Sequence, residues 1–382
     1  MKKIALLGST GSIGVQVLNV VSRYPEKFSI CSLAAGKNAA LFSEQVKTFR
    51  PKVASLADEN AFSAIKNDLP AGVCCFTGED AVLDAIVEEA DVVFVAVVGF
   101  TGLKCVLKAI EYRKTIALAN KESLCCGGDL VMQKAKEAGV AIIPVDSEHS
   151  AIWQSLSFDA NRECEKVVLT ASGGPFWQLD KEAFRNLTKA DALRHPTWKM
   201  GAKITTDCAT LANKGQEIME AHHLFALPAE KIEVILHPES IVHSMACFAD
   251  GATIAELSYP SMEIPIQLAL TYPDRFNAGV RQLDFASVAA LRFFPVPEEK
   301  FPCFTMAKEA LRAGGIYPCA YCSANEAAVF AFLDEKIAFC EISDYIRLAL
   351  DKIKGGSADS YEALAAVRNE ATAIVLQKIK ER

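Results

Sequence analysis

The chain has 382 residues, 51% of them hydrophobic and 23% charged, which supports a sizeable core and excludes wholesale disorder. At about 150 residues per domain, this length suggests two or three domains. Forty Lys and Arg against 47 Asp and Glu leave a formal charge of −7, which argues against a general nucleic-acid binder.

The opening MKKIALL imitates a signal peptide for a few residues, until Gly8 and Gly11 interrupt it short of the apolar length such a segment needs. The longest nearly apolar run elsewhere, 92–103, is too short to cross a bilayer. The expectation is a cytoplasmic protein with no membrane segment.

From residue 1 to 146 one rhythm repeats. β-rich runs at 3–7, 28–33, 52–56, 72–76, 91–97, 115–118 and 140–145 alternate with helical patterns, clearest at 13–21, 39–49, 81–89, 103–112 and 130–138. Strands apolar without alternation are buried on both faces, as a parallel sheet requires. The alternation with helices predicts right-handed βαβ units and a doubly wound, Rossmann-like α/β domain.

Beyond Asp146 the pattern changes. A strand at 167–172 leads into Gly173-Gly174-Pro175-Phe176, and 195–202 has the look of an irregular loop. A helical pattern follows at 210–225, then strands at 232–236, 241–248 and 253–257, with an Asp250-Gly251 turn between the last two. This predicts a central α+β domain over 147–275 with a partly antiparallel sheet. Residues 276–302 look like a linker, and helical patterns at 305–313, 322–333, 340–350 and 360–381 predict a C-terminal helical bundle over 303–382.

The 13 cysteines are odd in number and spread through apolar segments (Cys31, Cys105, Cys164), which suits small buried hydrophobes in a reducing compartment. Cys319 and Cys322 form a lone CxxC with no second pair to complete a zinc site.

Three stretches carry chemistry. Gly8-Ser9-Thr10-Gly11-Ser12-Ile13-Gly14 follows the first strand and opens the first helix, where glycines let the backbone approach a pyrophosphate. The second strand ends in Ala35-Gly36-Lys37-Asn38 with no acid for a free ribose. Lys37 either meets a 2′-phosphate, favouring NADPH over NADH, or is a solvated helix-start residue. Asp146-Ser147-Glu148 lies at the C-terminal end of a parallel strand, where ligands bind in such sheets. With Glu217 from the later helix these acids form an oxygen-only ligand set suited to Mg²⁺ or Mn²⁺, or else they cap a helix. Ser172, His195, Lys199, Asn213 and Lys214, set among glycines and prolines, together suit a phosphate. His149 reads as a packed, hydrogen-bonded imidazole, and His222-His223 as partly exposed helix surface.

These stretches belong to a longer series: GSTGSIG, AGKN, LANKESL, PVDSEHSAIWQ, TASGGPF, HPTWKMG, ITTDCATLANKGQE, HPESIVHSM and SANEAA. In that order, over essentially the whole chain, they closely resemble the 1-deoxy-D-xylulose-5-phosphate reductoisomerase family. The resemblance implies that Asp146, Glu148 and Glu217 ligate one divalent cation. It implies that Ser172, Asn213 and Lys214 bind a substrate phosphate with His195 closing over it, that Ser147 touches the substrate hydroxyls, and that Lys121 and Glu122 lie where cofactor and substrate meet. Segment 195–202 would be a lid, with Trp198 over the substrate. Gly8, Ser9, Thr10, Gly11, Ser12, Ile13, Gly36, Lys37, Asn38, Asn120, Met200 and Gly201 would hold NADPH, with Met262 packing nearby. One departure matters: Cys208 stands where the family usually has a phosphate-binding serine, and a thiol is the weaker donor. Ser150 and Trp153 replace the usual Asn and Phe.

The implied activity is rearrangement and reduction of a phosphorylated ketose to 2-C-methyl-D-erythritol 4-phosphate by a cytoplasmic homodimer. The alternative is a metal-independent NADP-dependent reductase of another phosphorylated sugar, for which Glu217 would be dispensable.

Overall fold

The structure is a computed structural model that describes residues 1–157, 163–198 and 200–381. Lys199, expected among the phosphate-binding residues, lies outside the described residues. The chain divides into two compact units.

The first unit comprises Met1–Ser123, Val131–Asp146 and Ser261–Val280. Its seven strands are β1 (Lys2–Leu7), β2 (Phe28–Ala35), β3 (Val53–Leu56), β4 (Cys74–Thr77), β5 (Val92–Val95), β6 (Thr115–Leu118) and β7 (Ile142–Pro144). They run parallel in the order β4-β3-β2-β1-β5-β6-β7. The apolar runs have the predicted cause: Ile4 through Leu7 and Val93 through Val95 are fully buried. Strand order reverses at β1 and β5, so the crevice beyond their C-terminal ends is the topological switch point where doubly wound sheets take ligands.

Two helices differ from expectation. The pattern at 81–89 yields only Ala81–Asp84, while the one at 130–138 begins much earlier, as Glu122–Ala138, and carries a non-helical Gly127. Residues 261–275, expected with the central domain, and 276–280, expected in the linker, belong to this unit. Their helix Glu263–Thr271 packs on helix Ser12–Arg23, Glu263 receives Arg23 Nη2 at 2.5 Å, and Lys2 Nζ donates to the Leu270 carbonyl at 2.6 Å.

The second unit holds Leu124–Leu130, Ser147–Pro260 and the chain from Arg281 on. Its sheet has the order β11-β10-β8-β9-β12, from β8 (Cys164–Ala171), β9 (Ile232–Leu236), β10 (Val242–Phe248), β11 (Thr253–Leu257) and β12 (Phe294–Pro295). Only β8 and β9 are parallel. The expected linker thus supplies an edge strand, because Phe294 and Pro295 pair with Leu236 and Ile235. Helices Pro302–Ala313, Tyr317–Leu333, Ile342–Lys352 and Tyr361–Lys380 pack together as expected, but in one unit with this sheet. Helix Ala212–Phe225 runs against Pro302–Ala313, and Gly215 makes the approach possible: a Cβ there would come within 2.4 Å of Ala307 Cβ. The helix expected at 210–225 is present as Ala212–Phe225; a further helix that the sequence did not suggest, Ala202–Ala209, precedes it and is separated from it by Leu211 at φ 57°.

Candidate active site

In the first unit, the turn after β1 is built from main chain. The Gly8 and Ser9 N–H groups both donate to the Ala34 carbonyl, tying the turn to β2. Gly8 has φ 93°, and a Cβ there would lie 2.4 Å from the Ala96 carbonyl oxygen; at Gly14 it would lie 2.2 Å from the Gly8 oxygen. Packing therefore demands glycine at both positions. Gly36 is different: nothing lies within 4 Å of where its Cβ would be. Lys37 and Asn38 are exposed beside it at the end of β2, and Asn38 Oδ1 also caps helix Ala39–Phe49 through Leu41 N–H at 3.3 Å.

Asn120 joins the loops that follow β5 and β6. Its Nδ2 donates to the carbonyls of Val97 and Gly99, each at 3.0 Å, and to Glu122 Oε2 at 2.9 Å. Val98, 70% exposed between those two carbonyls, is an apolar residue at the switch point that no motif singled out. At the end of β7, Asp146 Oδ2 lies 2.6 Å from Lys121 Nζ.

In the second unit the central charges, Lys214 and Glu217, are buried. Asp146 directly precedes helix Ser147–Leu156, whose first turn carries Glu148. Lys214 Nζ donates to Glu148 Oε1 at 2.6 Å and also to Glu217 Oε2. Asn213 Nδ2 donates to Glu217 Oε1 at 2.5 Å, and Ser147 Oγ to Glu148 Oε2 at 2.5 Å. The Glu217 side chain is 1% exposed and that of Lys214 4%. Burial alone would lower the Lys214 ammonium, but Glu148 and Glu217 outweigh it and hold Lys214 above the usual lysine range. Thus Asn213 and Lys214, expected at a phosphate, here grip the two carboxylates.

His195 Nδ1 accepts from the N–H groups of Trp198 at 3.0 Å and Thr197 at 3.2 Å. The ring proton therefore sits on Nε2, which lies 3.1 Å from Ser172 Oγ and donates to it. Burial lowers the His195 pKa, which fits this neutral form. Trp198 meets His243 edge to face at 6.2 Å between ring centres. Met200 and Gly201 follow, Gly201 accepting from Thr205 at the head of helix Ala202–Ala209. Gly174, at φ 64°, passes so close to this helix that a Cβ would lie 2.6 Å from the Cys208 carbonyl oxygen. The contact brings the Ser172 loop up against Cys208.

One supporting group escaped the sequence. Asp207, 1% exposed, receives Lys203 Nζ at 2.7 Å and Asn325 Nδ2 at 2.9 Å, so the SANEAA stretch serves to hold helix Ala202–Ala209. His149 is fully buried as expected, with Nε2 at 2.9 Å from the Glu217 carbonyl and Nδ1 at 3.4 Å from Glu220. His222 and His223 are half-buried, and burial pushes His223 down to about 4.

Three consecutive segments match families described as the 1-deoxy-D-xylulose 5-phosphate reductoisomerase (residues 4–128), its C-terminal domain (142–225) and the DXP reductoisomerase C-terminal domain (257–374). The chain belongs to the 1-deoxy-D-xylulose 5-phosphate reductoisomerase family. A reductoisomerase from Geobacillus sp. (strain WCH70) is 44% identical over 372 residues, 97% of this chain and 98% of the relative. Among solved structures, the Zymomonas mobilis reductoisomerase in complex with NADPH superposes with a TM-score of 0.93 at 36% identity, covering 100% of both chains. A DOX-P reductoisomerase in complex with NADPH, fosmidomycin and magnesium gives 0.95 at 34%, covering 100% of this chain and 98% of that one. Both reductoisomerases share the α/β architecture, with a parallel sheet, a second sheet and terminal helices.

Proposed function

We propose that this chain rearranges and reduces 1-deoxy-D-xylulose 5-phosphate to 2-C-methyl-D-erythritol 4-phosphate, using NADPH and one divalent cation, as a cytoplasmic homodimer. The observation that carries this reading, within a chain of this family, is the convergence of two carboxylates, the half-buried Glu148 and the buried Glu217, on one buried ammonium. Among the described residues no helix is long and apolar enough to cross a membrane.

The residues fit both groups. Buried carboxylates repel unless positive charge lies between them, and their all-oxygen donor set suits Mg²⁺ or Mn²⁺. Asp146, one residue before helix Ser147–Leu156, would be the third ligand. For the dinucleotide, the Gly8–Gly14 turn, an exposed Lys37 and the open space over Gly36 suit a phosphorylated ribose at the end of β2. When bound, the cation supplies Lewis acidity to the ketose oxygens and NADPH supplies the hydride.

The protein's own groups do the rest. Lys214 pairs with Glu148 and Glu217, and with Asn213 it would supply donors to the substrate phosphate. Ser172 Oγ, already oriented by His195, donates to the same phosphate, with the Cys208 thiol as a weak helper. Lys121 pairs with Asp146 and positions it, Ser147 meets the substrate hydroxyls, and Glu122 orders Asn120 beside the nicotinamide. His195 anchors the 195–202 lid by binding its Thr197 and Trp198 N–H groups. Phosphate contacts can therefore drive lid closure under Trp198, excluding water from the reacting end.

The test is to supply NADPH, 1-deoxy-D-xylulose 5-phosphate and Mg²⁺ and to identify the product by NMR. A branched methylerythritol phosphate is expected. A reduced product with an unbranched skeleton would instead establish the metal-independent sugar reductase. Light scattering should give twice the chain mass.

A further inference from the structure

A second cavity, of about 380 Å³, lies in the unit that holds the buried carboxylates, yet none of its walls comes from the residues assigned above to substrate, cation or nucleotide. That volume is within the range of small-molecule sites. Its floor is aromatic. Phe184, Phe301 and Phe339 are buried, with ring centres 5.8 Å apart for Phe184–Phe301 and 6.0 Å for Phe184–Phe339.

The mouth is cationic. Lys181 and Arg185, on the 3₁₀ turn Lys181–Asn186, are exposed at its edge, and among the described residues neither is engaged in an ion pair. Lys300 also lines the cavity and is tethered there, its Nζ donating to the Leu179 carbonyl at 3.0 Å. Two acids also line the cavity, Glu182 and Asp344, with the Ser343 hydroxyl beside the latter. Burial, and secondarily Glu341, raises the Asp344 carboxyl above its ordinary range, so it takes a proton more readily than a solvated acid. Three cations over an aromatic floor make a poor site for a metal or a neutral sugar. They suit a ligand with an apolar body below and an anionic group at the mouth, where Arg185 can form a paired hydrogen bond.

We propose that this cavity is a second ligand site, for a small organic anion consisting of a compact apolar ring or branched chain that bears a phosphate. The apolar body rests on Phe184, Phe301 and Phe339, and the phosphate is held by Lys181, Arg185 and Lys300. The site stands on its own observations and does not depend on which sugar the active site takes.

The test is calorimetric titration of phenyl phosphate into the full chain saturated with NADPH. It is run in a Ser172→Ala background, which weakens the active-site phosphate grip and leaves the Lys214–Glu148–Glu217 charges paired. Saturable binding is expected, weakened roughly tenfold or more when Lys181→Ala and Arg185→Ala are added. Both added positions are exposed, and an unchanged melting temperature confirms that the fold survives them. Benzoate is titrated in parallel, and weaker binding than phenyl phosphate is expected if the mouth selects phosphate. Absence of saturable binding, or equal affinity with and without the two substitutions, overturns the proposal. Benzoate binding as tightly as phenyl phosphate overturns the choice of phosphate over carboxylate.

Discussion

The two units make their sites in different ways. At the end of β1 and β2 the working parts are backbone: Gly8 and Ser9 N–H groups tied to Ala34, close approaches at Gly8 and Gly14, and an open ledge at Gly36. Around Glu217 the working parts are buried side chains, Lys214 against two carboxylates and Asp207 against Lys203 and Asn325. A main-chain site loses little when one exposed side chain is changed. A site of buried charges fails when one partner is removed, because the remaining charge is left uncompensated in a low-dielectric interior.

That difference sets the order of the expected effects. Glu217→Gln should be the most damaging, lowering kcat/KM on the order of a thousandfold; steady-state rates across a Mn²⁺ series check this. A fall of less than tenfold would mean that the buried carboxylates do not serve the reaction. His195→Ala removes the acceptor for the Thr197 and Trp198 N–H groups and the donor to Ser172. Turnover should fall on the order of a hundredfold and KM should rise; a raised KM with unchanged turnover would deny the lid its anchor.

Asn325→Ala, remote from any substrate contact, takes a hydrogen bond from the buried Asp207. It should cost about 2 kcal/mol of unfolding free energy, measured by urea denaturation. Lys37→Ala belongs to the other region and should leave stability unchanged while narrowing the preference for NADPH over NADH by about tenfold. Loss of fold there would erase the contrast between the units. Cys208→Ser is the mildest change, improving KM for the sugar phosphate by an amount equivalent to about 1 kcal/mol or less.

Legibility in the sequence followed the same divide. The first unit could be traced strand by strand because its strands are buried on both faces and its turns are marked by glycine; the helix Ala39–Phe49 and strand Thr115–Leu118 stand where the pattern places them. The early start of helix Glu122–Ala138 was hidden by Cys125-Cys126-Gly127-Gly128, a run of weak helix formers held by tertiary contacts, such as Cys125 Sγ to the Gln216 carbonyl. The break at Leu211 left no mark either, since leucine rarely takes a positive φ. Residues 276–302 looked like a connection because their prolines conceal a two-residue edge strand.

In the site, Glu148, Asn213, Lys214 and Glu217 were singled out from motif and residue type, and the structure joins them by hydrogen bonds. The Asp207–Asn325 pair was not, because its members lie 118 positions apart and neither sits in a pattern that demands the other.

The most direct measurement is the affinity of the cation itself. Enzyme stripped by a chelator and titrated with Mn²⁺ in a calorimeter should bind one ion per chain. Glu217→Gln should bind it at least about tenfold more weakly. Equal affinity in the two proteins would contradict the claim that the carboxylates gathered around Lys214 form the cation site.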